Sequence, residues 1–341
     1  MIQNGETLDS VRGKINTVIG DVGSMYAIAH NIANVPDATV AIQSIIDNST
    51  NSKIYLPSGV YRICGNGIAV NKRVEIIGND TTINIDGLND GAFAFSFIGS
   101  YRRARVKGLN FTSSTNRQSA IYIQSHDMVL IDCGFNNIRM GVMVDGFNGT
   151  IIEKCFFNGN NQCIQLKGTS NKTTIKECDF FNSIPSVTDA SILMGDGLSM
   201  VSGINISDCW FELNQCMDIL INGPHNIHIH DSWMESFGDN SLNARIKMVS
   251  QYGSYRSFGN VVIDNIRFVV SAGTQNIIDL DVDNVTVKNI SCHQDGETPN
   301  INLRNSKGCL IEKVQTNGND WHESQQWLNL IGGINITKDW N

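Results

Sequence analysis

Apolar and polar positions alternate along this chain in short bursts. From Val106 to Thr316 the bursts follow one pattern, Ile-x-x-Cys-x-Phe in its fullest form. It occurs at Val106-Leu109-Phe111, Leu130-Cys133-Phe135, Ile152-Cys155-Phe157, Ile175-Cys178-Phe180, Ile206-Cys209-Phe211, Ile229-Ser232-Met234, Ile263-Ile266-Phe268, Val287-Ile290-Cys292 and Ile311-Val314-Thr316. The steps between the last members of successive copies are 24, 22, 23, 31, 23, 34, 24 and 24 residues. A fixed period of this size is the mark of a solenoid, in which each unit buries its apolar face only by stacking on its neighbours.

The segments are short, rich in β-branched residues and broken by Asn, Gly, Asp and Ser, which predicts strands and turns rather than helices. Before each copy stands an alternating run, such as Ala120–Gln124, Gly141–Asp145 and Cys163–Lys167. Period-two alternation sends one set of side chains inward and the other outward. The Leu-x-x-Leu-x-Leu spacing of leucine-rich repeats is not held. The prediction is an all-β right-handed parallel β-helix of 22–24-residue coils, with about three short strands per coil.

Two helices are expected ahead of the coils. Leu8, Val11, Ile15, Val18 and Ile19 fall at helical spacing within residues 1–35, either as a self-associating neck or as a cap on the first coil. A second stripe, Ala38, Ala41, Ile42, Ile45 and Ile46, makes residues 37–48 a helix that covers the open end of the solenoid, with Asp37 as N-cap. The expected organisation is an attachment segment (1–35), a β-helix domain (36–335) and a tail (336–341).

Composition narrows the function. A net charge of −8 argues against nucleic acid or an anionic membrane as the main partner. No apolar run approaches a membrane span, and no signal-peptide pattern opens the chain. Cys133, Cys155, Cys178 and Cys209 share a slot that other coils fill with Leu109, Ile266, Ile290 and Val314, so they read as buried reduced thiols rather than disulfides. No Cys/His metal spacing appears, and neither a metal nor a cofactor is expected.

Three motifs follow one another near the start: Asp-x-x-x-Ala-Ile-Gln (Asp37 to Gln43), Tyr-Leu-Pro-x-Gly-x-Tyr (Tyr55 to Tyr61) and Val-x-Ile-Ile-Gly (Val74 to Gly78). In this order they resemble the start of the pectate-lyase-like superfamily, most closely its bacteriophage tailspike depolymerases. Glu6 to Asn16 is also similar to sequences near the start of phage tail and baseplate proteins. The resemblance implies a homotrimeric virion protein, assembled in the host cytoplasm, that binds and usually cuts a bacterial surface polysaccharide. It also implies attachment to the tail or baseplate through the N-terminal segment.

The two long steps locate a candidate groove, because insertions must leave a packed coil as loops. Residues 181–191, 195–203, 235–244 and 250–260 are expected to wall one face. With Ile219, Ile221, Ile246, Met248, Ile278 and Leu280 inward, alternation places Asp218, Leu220, Asn222, Arg245, Lys247, Asp279 and Asp281 outward. Glycosidases need two carboxyls, at about 5–5.5 Å for retention or about 6.5–9.5 Å for inversion. Asp279 with Asp281 fits inversion, and Asp218 to Asp279 reaches the upper limit with Arg245 and Lys247 between. Asp196 and Glu235 in the loops are further candidates for the acid.

A charged ladder outside a β-helix is ordinarily a solvated face, and Asp279-x-Asp281-x-Asp283 also suits Ca²⁺. Arg245-Ile246-Lys247 matches an Arg-Ile-Lys motif of polygalacturonases, but without that family's paired Asp or Gly-His-Gly. Trp210 and Trp233 share an outward slot in adjacent coils on another face, near Phe156 one strand earlier and Arg267 one strand later, which suits sugar stacking or a subunit interface. Tyr252, Tyr255 and Arg256 on the longest turn are expected to contact sugar, whereas His228 and His230 lack a third metal ligand. Three functions follow: a polysaccharide hydrolase, a non-catalytic receptor-binding spike, and a lyase using Lys247 or Arg245 as base.

Overall fold

The computed structural model describes residues 32–49, 53–146, 148–184, 190–195, 201–236, 244–249, 260–270, 276–294, 300–304, 307–316, 319–320, 328–331 and 335–339. The chain winds into a β-solenoid with two long sheets, one of eighteen strands and one of eleven. Pairing from coil to coil is parallel throughout the repeat, and a typical coil holds three strands, as in Val129–Ile131, Gly134–Asn136 and Met140–Asp145. The predicted architecture is borne out.

The spacing Ile-x-x-Cys-x-Phe has a backbone cause. In a continuous strand, residues three apart face opposite sides. Here the residue before each Cys-slot position is left-handed: Gly108, Asp132, Lys154, Glu177, Asp208, Asp231, Asn265, Asn289 and Lys313 all have φ between 46° and 68°. That single residue turns the strand and resets the alternation, so Ile and Cys both point inward. The Cys-to-Phe step is then ordinary period two. A second left-handed corner follows the Phe at Asn137, Gly159, Asn182 and Leu213.

The register stacks like on like. Phe111, Phe135, Phe157, Phe180 and Phe211 form a buried column with ring centroids 4.5–5.3 Å apart and planes within 10° of parallel. Met234 and Phe268 continue it. Cys133, Cys155, Cys178 and Cys209 are buried free thiols, as their slot predicts. Each of these large side chains is fully buried, worth about 1.5–3 kcal/mol apiece for the phenylalanines. Asn160 and Asn214 sit inside the second corner, each accepting a backbone N–H from one coil and donating to a carbonyl below, so their burial leaves neither amide unsatisfied.

The helix Thr39–Asn48 caps the first coil with Ile42, Ile45 and Ile46 buried. It starts two residues later than expected, with Ala38 at the N-cap position, yet Asp37 still accepts the Thr39 N–H at 2.8 Å. Gln43 shows why the Ala-Ile-Gln motif matters. Its amide accepts the Ala69 N–H at 2.8 Å and donates to the Ala69 carbonyl at 2.9 Å. Ala69 lies in the edge strand of the eleven-stranded sheet, so one side chain occupies the hydrogen-bonding groups that would otherwise invite another strand. The helix read at Leu8–Ile19 lies outside the described residues.

Candidate functional site

The slot one residue before the phenylalanine column points out of the solenoid. In register it holds Gly134, Phe156, Asp179, Trp210, Trp233 and Arg267. Trp210 and Trp233 stand 5.6 Å apart, and the Arg267 guanidinium lies 4.2 Å from the centre of the Trp233 ring. Phe156 packs on Phe181 from the neighbouring slot at 5.4 Å. Phe156 is 40 % and Trp210 43 % exposed, so this is an aromatic strip offered to solvent rather than a core. The slot places Trp210, Trp233 and Arg267 as the sequence predicts. Phe156, expected one strand before Trp210, lies two coils before it, because the register puts Asp179 in the slot between them.

Carboxylates flank the strip. Asp179 lies in the same row, and Glu212 and Glu235 lie two residues along, beside Phe181. The Trp233 indole N–H donates to Glu235 at 3.0 Å and fixes its carboxylate. Adjacent coils are about 4.8 Å apart and i, i+2 neighbours about 6.8 Å, so the Cα atoms of Asp179 and Glu212 are diagonal neighbours at about 8 Å. Burial raises the pKa of Asp179 above the usual carboxylate value, so it keeps a proton to higher pH than a free aspartate. Glu235, expected in a long loop beside the groove, belongs instead to the strand Pro224–Ser236 on this face. Asp179 and Glu212 escaped the sequence reading because the long loops drew attention to another face. Their signal was the slot itself, shared with the two tryptophans.

The expected groove face looks different. Ile219, Ile221, Ile246, Met248, Ile278 and Leu280 are all buried, as alternation requires. Lys247 lies outward between Leu220 and Asp279, with Asn302 beyond, and Asn222 shares the next row with Asp281. Asp218 and Arg245, however, are not on the outer face. They pair in one row, fully and almost fully buried, with Arg245 Nε on Asp218 Oδ2 at 2.9 Å and a terminal nitrogen on Oδ1 at 2.6 Å.

The reason for that correction is the corner. At the start of each strand two successive residues are buried: Ala120 and Ile121, Cys163 and Ile164, Ser191 and Ile192, Asp218 and Ile219, Arg245 and Ile246. Alternation therefore fails there, and the first row lies inside. Asn214 donates to Asp218 at 3.0 Å, and Ser183, Ser191 and Cys163 continue a buried polar chain. Hence Asp218 and Asp279 do not face each other across Arg245 and Lys247, because they occupy different rows on different sides of the wall.

Asp279 is 5 % exposed. One of its oxygens accepts from Arg304 at 2.7 Å, while the other is buried without a hydrogen-bond partner. Burial raises its pKa, against the opposing pull of Arg304 and Lys247. Asp281 stands two residues along the same strand. Asp196, Tyr252, Tyr255 and Arg256 lie outside the described residues. Among the described residues no group of three or more His, Cys, Asp or Glu is gathered to hold a metal ion. His228 and His230 stack at 4.0 Å, and His230 is held by Asp231 and Asn205.

The family model described as a right-handed beta helix region matches residues 93–246. No curated protein matches the chain in sequence. Solved structures share its fold: DFA-IIIase from Arthrobacter chlorophenolicus A6 in complex with DFA-III has a TM-score of 0.62 at 15% identity, covering 82% of this chain and 80% of that one. ORF18 of Geobacillus virus E2 has a TM-score of 0.60 at 15% identity, covering 99% of this chain and 66% of that one. PfbA, a surface adhesin of Streptococcus pneumoniae, has a TM-score of 0.54 at 14% identity, covering 90% and 92%. The fold is thus a right-handed parallel β-helix.

Proposed function

We propose that this chain binds and depolymerises a bacterial surface polysaccharide along the aromatic strip, by glycoside hydrolysis. One observation carries the reading: the exposed Trp210 and the half-buried Trp233 lie ring beside ring in the same row as an aspartate whose pKa is raised by burial. Flat aromatic faces suit the apolar faces of sugar rings, and a carboxyl that keeps its proton to higher pH than a free aspartate suits a general acid. In this reading Asp179 gives its proton to the glycosidic oxygen as the bond to the anomeric carbon breaks. Glu212, diagonal to it, takes a proton from the water that attacks that carbon. With Cα atoms about 8 Å apart on one face, the two side chains can hold their carboxyls at the separation of about 6.5–9.5 Å that inversion requires between them. Glu235 and Arg267 hold Trp233 and the outer edge of the strip.

A second location has its own observation. Asp279 also has a raised pKa and an unpartnered oxygen, with Lys247 and Asp281 nearby on the eleven-stranded sheet. Either location serves a tailspike-type virion protein, which we propose acts as a homotrimer attached to the phage tail through its N-terminal segment. A virus protein with the same coil supports that setting.

The test is incubation of the purified protein with a panel of capsular and O-antigen polysaccharides, following chain length, reducing ends and ultraviolet absorbance. Hydrolysis yields shorter chains with new reducing ends and no new absorbance. A lyase yields an absorbing unsaturated product. Binding to the host's own polymer without shortening makes the protein a receptor-binding spike and overturns the enzymatic reading.

A further inference from the structure

A groove of about 580 Å³ runs across the first coils of the eighteen-stranded sheet, far along the chain from the acids of either location above. Its walls come from two rows. One is Lys53, Glu75, Arg105, Val129, Ile151 and Thr174, paired in register. The other lies two residues earlier in each coil, at the turn: Arg73, Arg103, Asp127, Gly149 and Lys172. Val129 and Ile151 form a half-buried apolar floor, and cations stand at both ends.

The lining holds five cations against two carboxylates, in a chain whose net charge is −8. Glu75 is already engaged by Lys53 at 3.7 Å and Arg105 at 3.3 Å. Among the described residues no ion pair reaches Arg73, Arg103 or Lys172. The positive charge is therefore concentrated and largely uncompensated.

The frame that holds it is stiff. Arg103, Asp127, Gly149 and Lys172 are all left-handed, with φ of 66°, 52°, 87° and 55°, and their backbone amides bond to the next coil. Further along the same column stand Gly203, Asn226, Asn284 and Gly308, the residue types this conformation favours. At Arg103 and Lys172 the chain carries long cations where the backbone prefers glycine or asparagine. Gly149, between them, leaves the floor open, since a Cβ there would meet the Asp127 carboxylate at 2.4 Å.

We infer that this groove is a binding site for an acidic saccharide, whose ring lies on Val129 and Ile151 and whose anionic groups meet Arg103, Arg73 and Lys172. Five steps of about 4.8 Å make it about 24 Å long, which suits an oligosaccharide segment laid along the solenoid axis. The inference rests on the polysaccharide reading for its ligand class and adds that the polymer carries negative charge. A net negative chain repels a long polyanion elsewhere, so only ligands seated in the groove gain from its field.

Binding is measured directly, by calorimetry or fluorescence at low salt, and so does not depend on whether either acid site turns over. The probes are a polyuronate, dextran sulfate, neutral dextran of matched length, and a single-stranded oligonucleotide of matched charge. The expected result is binding of the polyuronate, no binding of neutral dextran, and weakening as salt rises. Replacing both Arg103→Gly and Lys172→Gly suits the left-handed backbone and should weaken polyuronate binding about tenfold. A thermal melt no lower than that of the parent chain excludes misfolding. Equal binding of neutral dextran, unchanged polyuronate binding in the double variant, or an oligonucleotide that binds as tightly would each overturn the assignment. Preference for dextran sulfate over the polyuronate would replace the carboxylated ligand with a sulfated one.

Discussion

The wall of the eleven-stranded sheet and the aromatic strip of the eighteen-stranded sheet are built from the same repeat and use their charges in opposite ways. On the first, Asp218 and Arg245 are turned inward and satisfied by each other, and Asp279 leans on Arg304. On the second, Phe156 and Trp210 remain exposed beside acids that have no cation locked onto them among the described ion pairs. Charge density alone therefore does not mark a site on a β-helix. What separates the regions is whether the charged group is spent on the fold or left facing a surface that a ligand can reach.

Breaking the buried pair should have the largest effect. Removing one partner of a bidentate pair in the interior leaves a charge unmatched, and typically costs about 3–5 kcal/mol. Arg245→Met should lower the denaturant midpoint accordingly, whereas Asp218→Leu with Arg245→Met together should recover much of the loss. Urea unfolding of the single and double variants checks this. If Asp218→Asn instead abolished cleavage with stability intact, Asp218 would return to the catalytic candidates.

Next come the acids of the strip. Asp179→Asn or Glu212→Gln should cut turnover about 10²–10⁴-fold while binding persists, and Asp279→Asn should leave turnover near that of the parent. The reverse pattern in a reducing-end assay moves the chemistry to the eleven-stranded sheet. Trp210→Ala should then weaken polymer binding by about 1–2 kcal/mol, roughly five- to thirtyfold. Because its ring is half exposed, unfolding should barely change.

These contrasts also explain what could be read from the chain. Ile-x-x-Cys-x-Phe was legible because one left-handed residue fixes its spacing in every copy, and the cysteine and phenylalanine columns follow from register alone. The tryptophan pair was legible for the same reason. Asp218 and Arg245 were misplaced because alternation was carried through a corner where two successive residues are buried, and the small residues at Ala120, Gly141 and Cys163 were the unread warning. Arg103 and Lys172 gave no signal as a pair. They lie in the turn between strands, 69 residues apart in sequence, and only the stacking of coils brings them onto one groove.

The smallest effect concerns pH, and its sign separates Asp179 from an ordinary surface acid. A carboxyl whose folded pKa is raised binds its proton more tightly in the native state than in the unfolded one. Its contribution favours folding below the unfolded value and is lost as pH rises through the folded value. Asp231 and Asp264, lowered by hydrogen bonds and neighbouring charge, act the other way and stabilise as pH rises. Asp179→Asn should therefore remove a small decline in stability just above the usual aspartate range, visible as a flatter profile in unfolding midpoints taken at closely spaced pH values. If Asp179 is the acid, cleavage by the parent chain should fall along the same limb, since the proton that burial retains is the one the glycosidic oxygen takes. A stability profile that flattens while the activity limb stays in place would leave Asp179 as a half-buried structural carboxyl and hand the acid's role to Asp279.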